Sequence, residues 1–383
     1  MVLYWRGIWD LWGFYVNPKP FPVAQWKIFG ISCLTIIGYF IGPKLQQALV
    51  NKADNFRSVI TRLFLFIYGA FFMAYWRGIF ETTHYYVDED PARALVVLLV
   101  TFGLLVIFRS CRSCLIPPML VNLDTRAGAL LPSTRFKTKV STALCTYCMV
   151  LECFISQQPV LCAYSYIIQG HNTKGHSQYM SYEYIPLSFQ PYSENYFLDC
   201  LFSHFVVNSL VITAWAGMWI LQYQHFFPHD QELGDQCSVA IGYGLCLLLY
   251  SVDAPLAAAS SRLGRYGFYC RLAFEDFVVF CTFFSHCILW RGAWNCTARY
   301  IVPDLETGGW VCFVVGSVGL LTAQCMSYAG GMGCAIDGEA HDADIFFQSR
   351  YLRHFCGASS EDRRTSPQNV PEKVMEVSVI SKM

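Results

Sequence analysis

The residues that could support catalysis do not form a known catalytic pattern in this sequence. It contains no phosphate-binding loop, no dinucleotide fingerprint, no Gly-x-Ser-x-Gly and no His-Glu-x-x-His. The acidic residues in or beside apolar runs do not recur at one repeat position, as a built-in ion pathway would require; they are Glu152, Asp199, Asp253, Glu275 and Asp276. We therefore predict that the protein is not an enzyme and has no catalytic residues.

The sequence contains 18 cysteines, most of them in apolar runs, where cysteine acts as a small hydrophobe. Cys145 and Cys148 have the spacing of a zinc-ligand pair, but no second pair or nearby histidine pair completes a tetrahedral set. We therefore predict no metal and no cofactor. Cys111 and Cys114 flank Arg112 at a predicted membrane edge, where palmitoylation is expected. Unmodified thiols facing a reducing cytosol are the alternative.

One short motif recurs and organises the chain. It is Tyr-Trp-Arg-Gly-Ile-Trp-Asp at 4–10, and its other copies lie at 75–81, at 289–295 and, in a divergent form without the arginine, at 215–219. A tyrosine stands nine residues after each arginine, at Tyr15, Tyr86 and Tyr300. The residues that we predict to form a repeat interface are Trp5, Arg6, Trp76, Arg77, Glu81, Trp215, Trp290 and Arg291.

Each arginine of the motif is followed four residues later by Asp10, Glu81 or Asn295, which lies one helical turn away on the same face. Two interpretations stay open. The aromatic residues and the arginine can anchor a helix end at the headgroup level. Alternatively, arginines and acids of neighbouring repeats pair and form a ring, with one position left blank by Ala216.

Composition identifies a membrane protein. Hydrophobic residues make up 55% of the chain and charged residues 14%, against roughly 25% charged in soluble domains. Seven apolar runs have about the ~20 residues that cross a bilayer: 24–42, 57–76, 92–110, 199–221, 236–256, 270–290 and 309–328. An eighth run, 140–157, contains Glu152 and ends at a Gln-Gln-Pro sequence, which favours a re-entrant or interfacial segment over a full span.

These features predict an all-α, polytopic helical membrane protein built from tandem two-helix repeats. We predict a transmembrane domain over 1–338 and a tail over 339–383 that is largely disordered past 357. The predicted repeats are 4–43, 57–118, 199–256 and 270–330, with an insertion at 139–198. The aromatic, proline-containing segment 1–23 is predicted to lie along the membrane interface. No apolar helix precedes the first copy, which predicts a short amino terminus or a truncated sequence.

Lysine and arginine concentrate in 43–56, 109–139, 257–271, the adjoining helix borders and the tail from about 330, and few flank the motifs. The positive-inside rule then places the motifs outside and the tail in the cytoplasm. If 140–157 were a full span, the second half of the chain would invert. The chain ends in Ser381-Lys382-Met383, which fits a ligand for a PDZ-containing scaffold, with Ser381 and Met383 as the recognised side chains.

The opening motif, its recurrence before successive apolar helices and the eight-run hydropathy resemble the Fuseless family, multi-pass membrane proteins of nerve terminals. The resemblance covers about 4–330. It implies a place in the presynaptic plasma membrane. It also implies a role in organising or supporting voltage-gated calcium channels at active zones, and therefore in neurotransmission. It implies no enzymatic activity.

Two classes of function therefore remain. The first is a membrane organiser or accessory protein with the lipid bilayer, calcium channel subunits and a PDZ-containing scaffold as partners, and no nucleic acid. The alternative is a secondary transporter or channel-like protein, which the internal repeats and Glu152 favour. An orphan receptor is a third, less specific interpretation.

The topology can be tested by labelling single cysteines in intact cells with an impermeant thiol reagent. We expect label at 80–92 and 295–308, and label at 44–55, at 112–135 and in the tail only after permeabilisation. Labelling of the tail in intact cells would exclude this arrangement.

Overall fold

The computed structural model describes residues 1–16, 23–49, 52, 54–88, 90–116, 194–301, 305–330 and 337. Within these ranges the chain is helical and forms no strand, which confirms the all-α class. The apolar run 140–157, nearly all of the insertion 139–198 and the tail 339–383 lie outside the described residues.

The described residues form eleven α-helices, which we number in chain order. They are α1 (Val2–Leu11), α2 (Val23–Ser32), α3 (Ile36–Leu49), α4 (Asp54–Val87), α5 (Pro91–Ile107), α6 (Glu194–Leu201), α7 (Ser209–His225), α8 (Gln231–Ser251), α9 (Asp253–Gly264), α10 (Phe268–Cys296) and α11 (Leu305–Thr322). A 3-10 turn joins α2 to α3, and a π-helical segment joins α6 to α7. π-Helical segments also extend α1 and α10, at Trp12–Val16 and Thr297–Ile301.

Five helical segments of the described chain are long and apolar enough to cross a membrane. They are Lys27–Leu45, Asn55–Val87, Tyr196–His225, Gln231–Ser251 and Phe268–Tyr300. Five of the seven predicted spans are therefore confirmed as segments of membrane-spanning length. The predicted spans 92–110 and 309–328 form the shorter apolar helices Pro91–Ile107 and Glu306–Thr322.

Helix α5 is short because a local cap fixes its first turn and a long-range contact fixes its other end. The Asp90 carboxylate accepts a hydrogen bond of 2.9 Å from the backbone N of Ala92, and Pro91 occupies the first turn. At the other end Arg109 has a φ of 51°, and its guanidinium donates to the backbone oxygen of Asp337. The 17 residues of α5 rise about 26 Å, less than the ~30 Å of the hydrocarbon layer.

The four motif copies lie on α1, α4, α7 and α10, which we call the motif helices. Each motif helix packs closely against a second helix, which we call its outer helix: α11, α2, α5 and α8, respectively. The motif glycine faces the outer helix in every copy, with Gly7 against Phe313, Gly78 against Phe29, Gly217 against Ala94 and Gly292 against Asp235. The glycines therefore allow the two backbones of each pair to approach.

The α8–α10 pair shows the closeness of this approach. A Cβ atom on Gly292 would lie 2.7 Å from the backbone oxygen of Asp235, and one on Gly242 would lie 2.6 Å from the Cα of Leu289. Both distances are shorter than real Cβ contacts, so neither position accepts a side chain without separating the helices.

The amino-terminal segment lies inside the bundle, which differs from the predicted interfacial position. Tyr4, Trp5 and Ile8 of α1 are buried, and Gly7 faces the backbone of α11. The reason is a contact between distant parts of the chain. No apolar helix precedes the first motif, and the last described α-helix, α11, packs against α1 in the place of one.

We expect Gly242→Ala to destabilise the protein by about 1–3 kcal/mol, since the added methyl group meets the α10 backbone. Gly244 is the matched control, because it lies two residues away on α8 and a Cβ there meets no atom within 4 Å. Gly244→Ala should leave the melting temperature of the detergent-solubilised protein unchanged or slightly raised. Equal melting temperatures for the two variants would contradict the close α8–α10 approach.

Candidate functional site

Four tryptophans, one from each motif copy, meet in the middle of the bundle. The ring centroid of Trp5 lies 5.2 Å from that of Trp76 and 5.1 Å from that of Trp290. Trp215 closes the set, at 5.9 Å from Trp76 and 6.4 Å from Trp290. The planes meet at 57° to 78°, close to the edge-to-face geometry that aromatic quadrupoles favour. We call this set the first ring.

A second aromatic ring lies one helical turn beyond the first. Trp9 contacts Phe80 at 5.5 Å and Trp294 at 5.4 Å, and Trp219 contacts Phe80 at 5.7 Å and Trp294 at 6.4 Å. All four contacts are nearly perpendicular, at 84° to 90°. We did not predict these four residues as site residues. The signal was in the sequence, since each stands four residues after a motif tryptophan and therefore on the same helix face.

Arg6 connects the acid of its own helix with the ring of a neighbouring motif helix. Its Nε donates to Oδ2 of Asp10 over 2.6 Å. Its guanidinium carbon lies 5.1 Å from the ring centroid of Trp294, in a cation–π contact.

Arg77 repeats this arrangement one motif helix further on. Its Nη2 lies 3.8 Å from Oε1 of Glu81, its Nη1 donates to the backbone oxygen of Trp9, and its guanidinium carbon lies 5.1 Å from the Trp9 ring centroid. The structure thus brings each of these arginines to the acid four residues later and, across the helix boundary, to an aromatic ring.

Arg291 uses partners on its outer helix instead. It is buried, and its Nη2 donates to Oγ of Ser238 over 2.6 Å. Asp235, also on α8, accepts a hydrogen bond of 2.9 Å from Asn295 and lies 3.4 Å from Nη2 of Arg299. The copy with Asn295 in place of an acid therefore takes its negative charge from α8.

The tyrosines at the ninth position after the arginine bind the outer helices in two copies. The Tyr15 hydroxyl donates to Oε1 of Glu306 over 2.8 Å, and the Tyr300 hydroxyl donates to Oε1 of Glu232 over 2.6 Å. Both acids lie in the first turn of the outer helix. Tyr86 is exposed.

A cavity of about 230 Å³ lies against both rings. All eight ring residues line it, together with Met73, Ile116, Glu81, His84 and Asn295. Its lining is aromatic, with a small number of polar groups, which is the character of a ligand-binding pocket. The arrangement offers an aromatic surface to a bound molecule.

Cys111 and Cys114 lie in a 3-10 turn beyond α5, and both are fully buried. Burial, followed by the neighbouring Asp337 carboxylate, raises the pKa of both thiols. Because the thiolate is the nucleophile, acylation of either side chain would require this turn to open. Their lipidation stays a prediction.

One group of residues in the described part of the chain has the spacing of metal ligands. The ligand atoms of Cys111, Asp276 and Asp337 lie within 4.8 Å of one another. Asp337, however, accepts hydrogen bonds from the backbone N atoms of Cys111, at 2.6 Å, and Arg112, at 2.9 Å. Its carboxylate therefore caps the 3-10 turn. Ser381 and Met383 lie outside the described residues.

Replacing Arg77 with Ala should remove its contacts with Glu81 and Trp9 and destabilise the fold by on the order of 2 kcal/mol. Surface expression should fall severalfold, as measured with an impermeant label. Arg262, an exposed residue of α9, is the matched control, and Arg262→Ala should express like the wild type. Equal surface expression of the two variants would show that the Arg77 contacts are dispensable.

Comparisons with known proteins agree with the resemblance seen in the sequence. The family model Fuseless matches residues 1–170 and 175–328. No curated protein and no solved structure matches the chain. The match covers most of the 383 residues and includes all four motif copies, so the chain belongs to the Fuseless family.

Proposed function

We propose that this protein is a multi-pass plasma-membrane organiser that supports the placement or function of voltage-gated calcium channels at presynaptic active zones. The observation that carries the proposal is the family membership over nearly the whole chain. Because the match is not confined to a single motif, it supports assigning the presynaptic role that the resemblance implies to the whole membrane domain.

The distribution of apolar side chains supports a role within the bilayer. The first and second rings lie inside the bundle, whereas the outer helices expose branched aliphatic residues on their surfaces. Examples are Val96, Leu99 and Val100 of α5 and Val315 and Val318 of α11, each more than half exposed. Such faces suit lipid, or the helices of a membrane partner such as a channel subunit.

We also propose that the repeat unit is an outer helix with its motif helix. The support is that three motif helices pack on the outer helix before them, while α1 packs on α11. The equivalent hydrogen bonds of Tyr15 and Tyr300 fit the same unit. The first and last α-helices of the described residues then complete one repeat between them. The predicted boundaries instead joined each motif helix to the helix after it.

A cytoplasmic tail that binds a PDZ-containing scaffold through Ser381 and Met383 would connect this bundle to the active zone. The charge distribution supports that side for the tail. The protein would then act by holding channels and scaffold together and would carry no enzymatic activity.

A carrier is the second candidate function, and the central cavity favours it. Transport would require the cavity to open in turn to both sides of the membrane. Uptake assays in vesicles distinguish it from the organiser, which moves no solute.

The organiser proposal can be tested by removing the protein from neurons that express it. We expect presynaptic calcium influx and evoked release to fall, because fewer channels are held at release sites. The wild type and Arg262→Ala should restore both, whereas Arg77→Ala should not. Normal calcium influx in the depleted terminals would refute the proposal.

A further inference from the structure

The electrostatic character of the central cavity is set by its lining. Eight aromatic rings, four in each layer, line the cavity. Among the described lining residues Glu81 is the one carboxylate, and no lysine or arginine is present. Aromatic faces carry partial negative charge, so both kinds of group favour a positively charged occupant.

The same rings already bind cations on their flanks. The guanidinium groups of Arg6 and Arg77 lie 5.1 Å from the centroids of Trp294 and Trp9, within the range of a cation–π interaction. Neither arginine lines the cavity. The cavity is therefore lined by aromatic rings of a kind that binds cations, but no lysine or arginine side chain lines it.

Two polar atoms of the lining also lack partners in the described part of the chain. The indole N–H of Trp5 and the Nε2 atom of His84 are buried and form no hydrogen bond. Trp5 is 6% exposed, so its donor is removed from bulk water. Because both atoms are buried, a ligand oxygen would reach the Trp5 N–H group only after a shift of the ring.

The size of the cavity limits the ligand. Its volume is about 230 Å³, whereas an engineered apolar cavity of about 150 Å³ is known to admit benzene. A compact organic cation fits this volume, and a phospholipid or a peptide does not.

We propose that the central cavity is a binding site for a small organic cation of the quaternary or methylated ammonium class. The aromatic side chains contact its methyl groups, and Glu81, whose Oε1 lies 3.8 Å from Nη2 of Arg77, provides the opposite charge. Aromatic cages recognise quaternary and methylated ammonium groups, and the cation–π attraction is stronger once the ammonium group has lost its water. The site goes beyond the proposed organiser role, and its occupancy is measured without any calcium channel.

Choline and tetramethylammonium are the probes. Purified full-length protein in detergent is expected to bind radiolabelled choline saturably in a scintillation proximity assay, and tetramethylammonium should compete. The uncharged isostere of choline, in which a tert-butyl group replaces the trimethylammonium group, should not compete at equal concentration. Competition by the isostere at equal strength would show a merely apolar cavity, and the lack of saturable choline binding would also overturn the proposal.

Variants test the two parts of the site. Trp219→Leu should weaken choline binding about tenfold, since it removes one aromatic face, whereas Trp219→Phe should bind within a few-fold of the wild type because Phe80 already occupies an equivalent ring position. Glu81→Gln removes the carboxylate charge and should also weaken binding. Trp310→Leu is the matched control, because Trp310 is 46% exposed on α11 and lies outside both rings. Undiminished binding by folded Trp219→Leu and Glu81→Gln would refute the site.

Discussion

The edge-to-face packing of the four motif tryptophans is the interaction on which the rest of the bundle depends. Each such contact is worth about 0.5–1.5 kcal/mol beyond the burial of the rings. The four contacts form a closed set, so each tryptophan has a partner on either side. Because lipid offers no hydrophobic drive for helix association, specific packing of this kind decides which helices meet.

The motif assigns a different task to each face of its helix. Successive residues are turned by about 100°, so Trp5 and Trp9 face inward together, while Gly7 faces the opposite way. Arg6 and Asp10 share a flank between these two directions and reach the neighbouring motif helix. The seven-residue motif therefore places aromatic rings toward the centre of the bundle, glycine toward the outer helix and a charged pair between these two faces.

Much of this architecture follows from local sequence, and the remainder depends on contacts that local sequence does not contain. Helix class and the four-residue spacing of Arg77 and Glu81 come from periodicity, which acts over one or two turns. The core position of α1 does not follow from periodicity, because its partner α11 is about 300 residues away in the chain. The early end of α5 likewise depends on Asp337, whose carboxylate caps the next turn.

Two of the three motif arginines stack on the second ring, and the divergent copy lies where a further arginine would do so. Arg77 stacks on the second-ring residue of the preceding motif helix, Trp9, and Arg6 stacks on Trp294 across the closure of the bundle. An arginine at position 216 would stack on Phe80 by the same register. That position holds alanine, and Phe80 is the one member of the second ring that is not tryptophan.

Tryptophan binds a cation better than phenylalanine does, so the weaker ring stands where the arginine is absent. His84 stacks on Phe80 instead, with ring centroids 4.7 Å apart. The loss of one arginine therefore does not leave a defect in the ring. It replaces a charged stacking partner with an aromatic one.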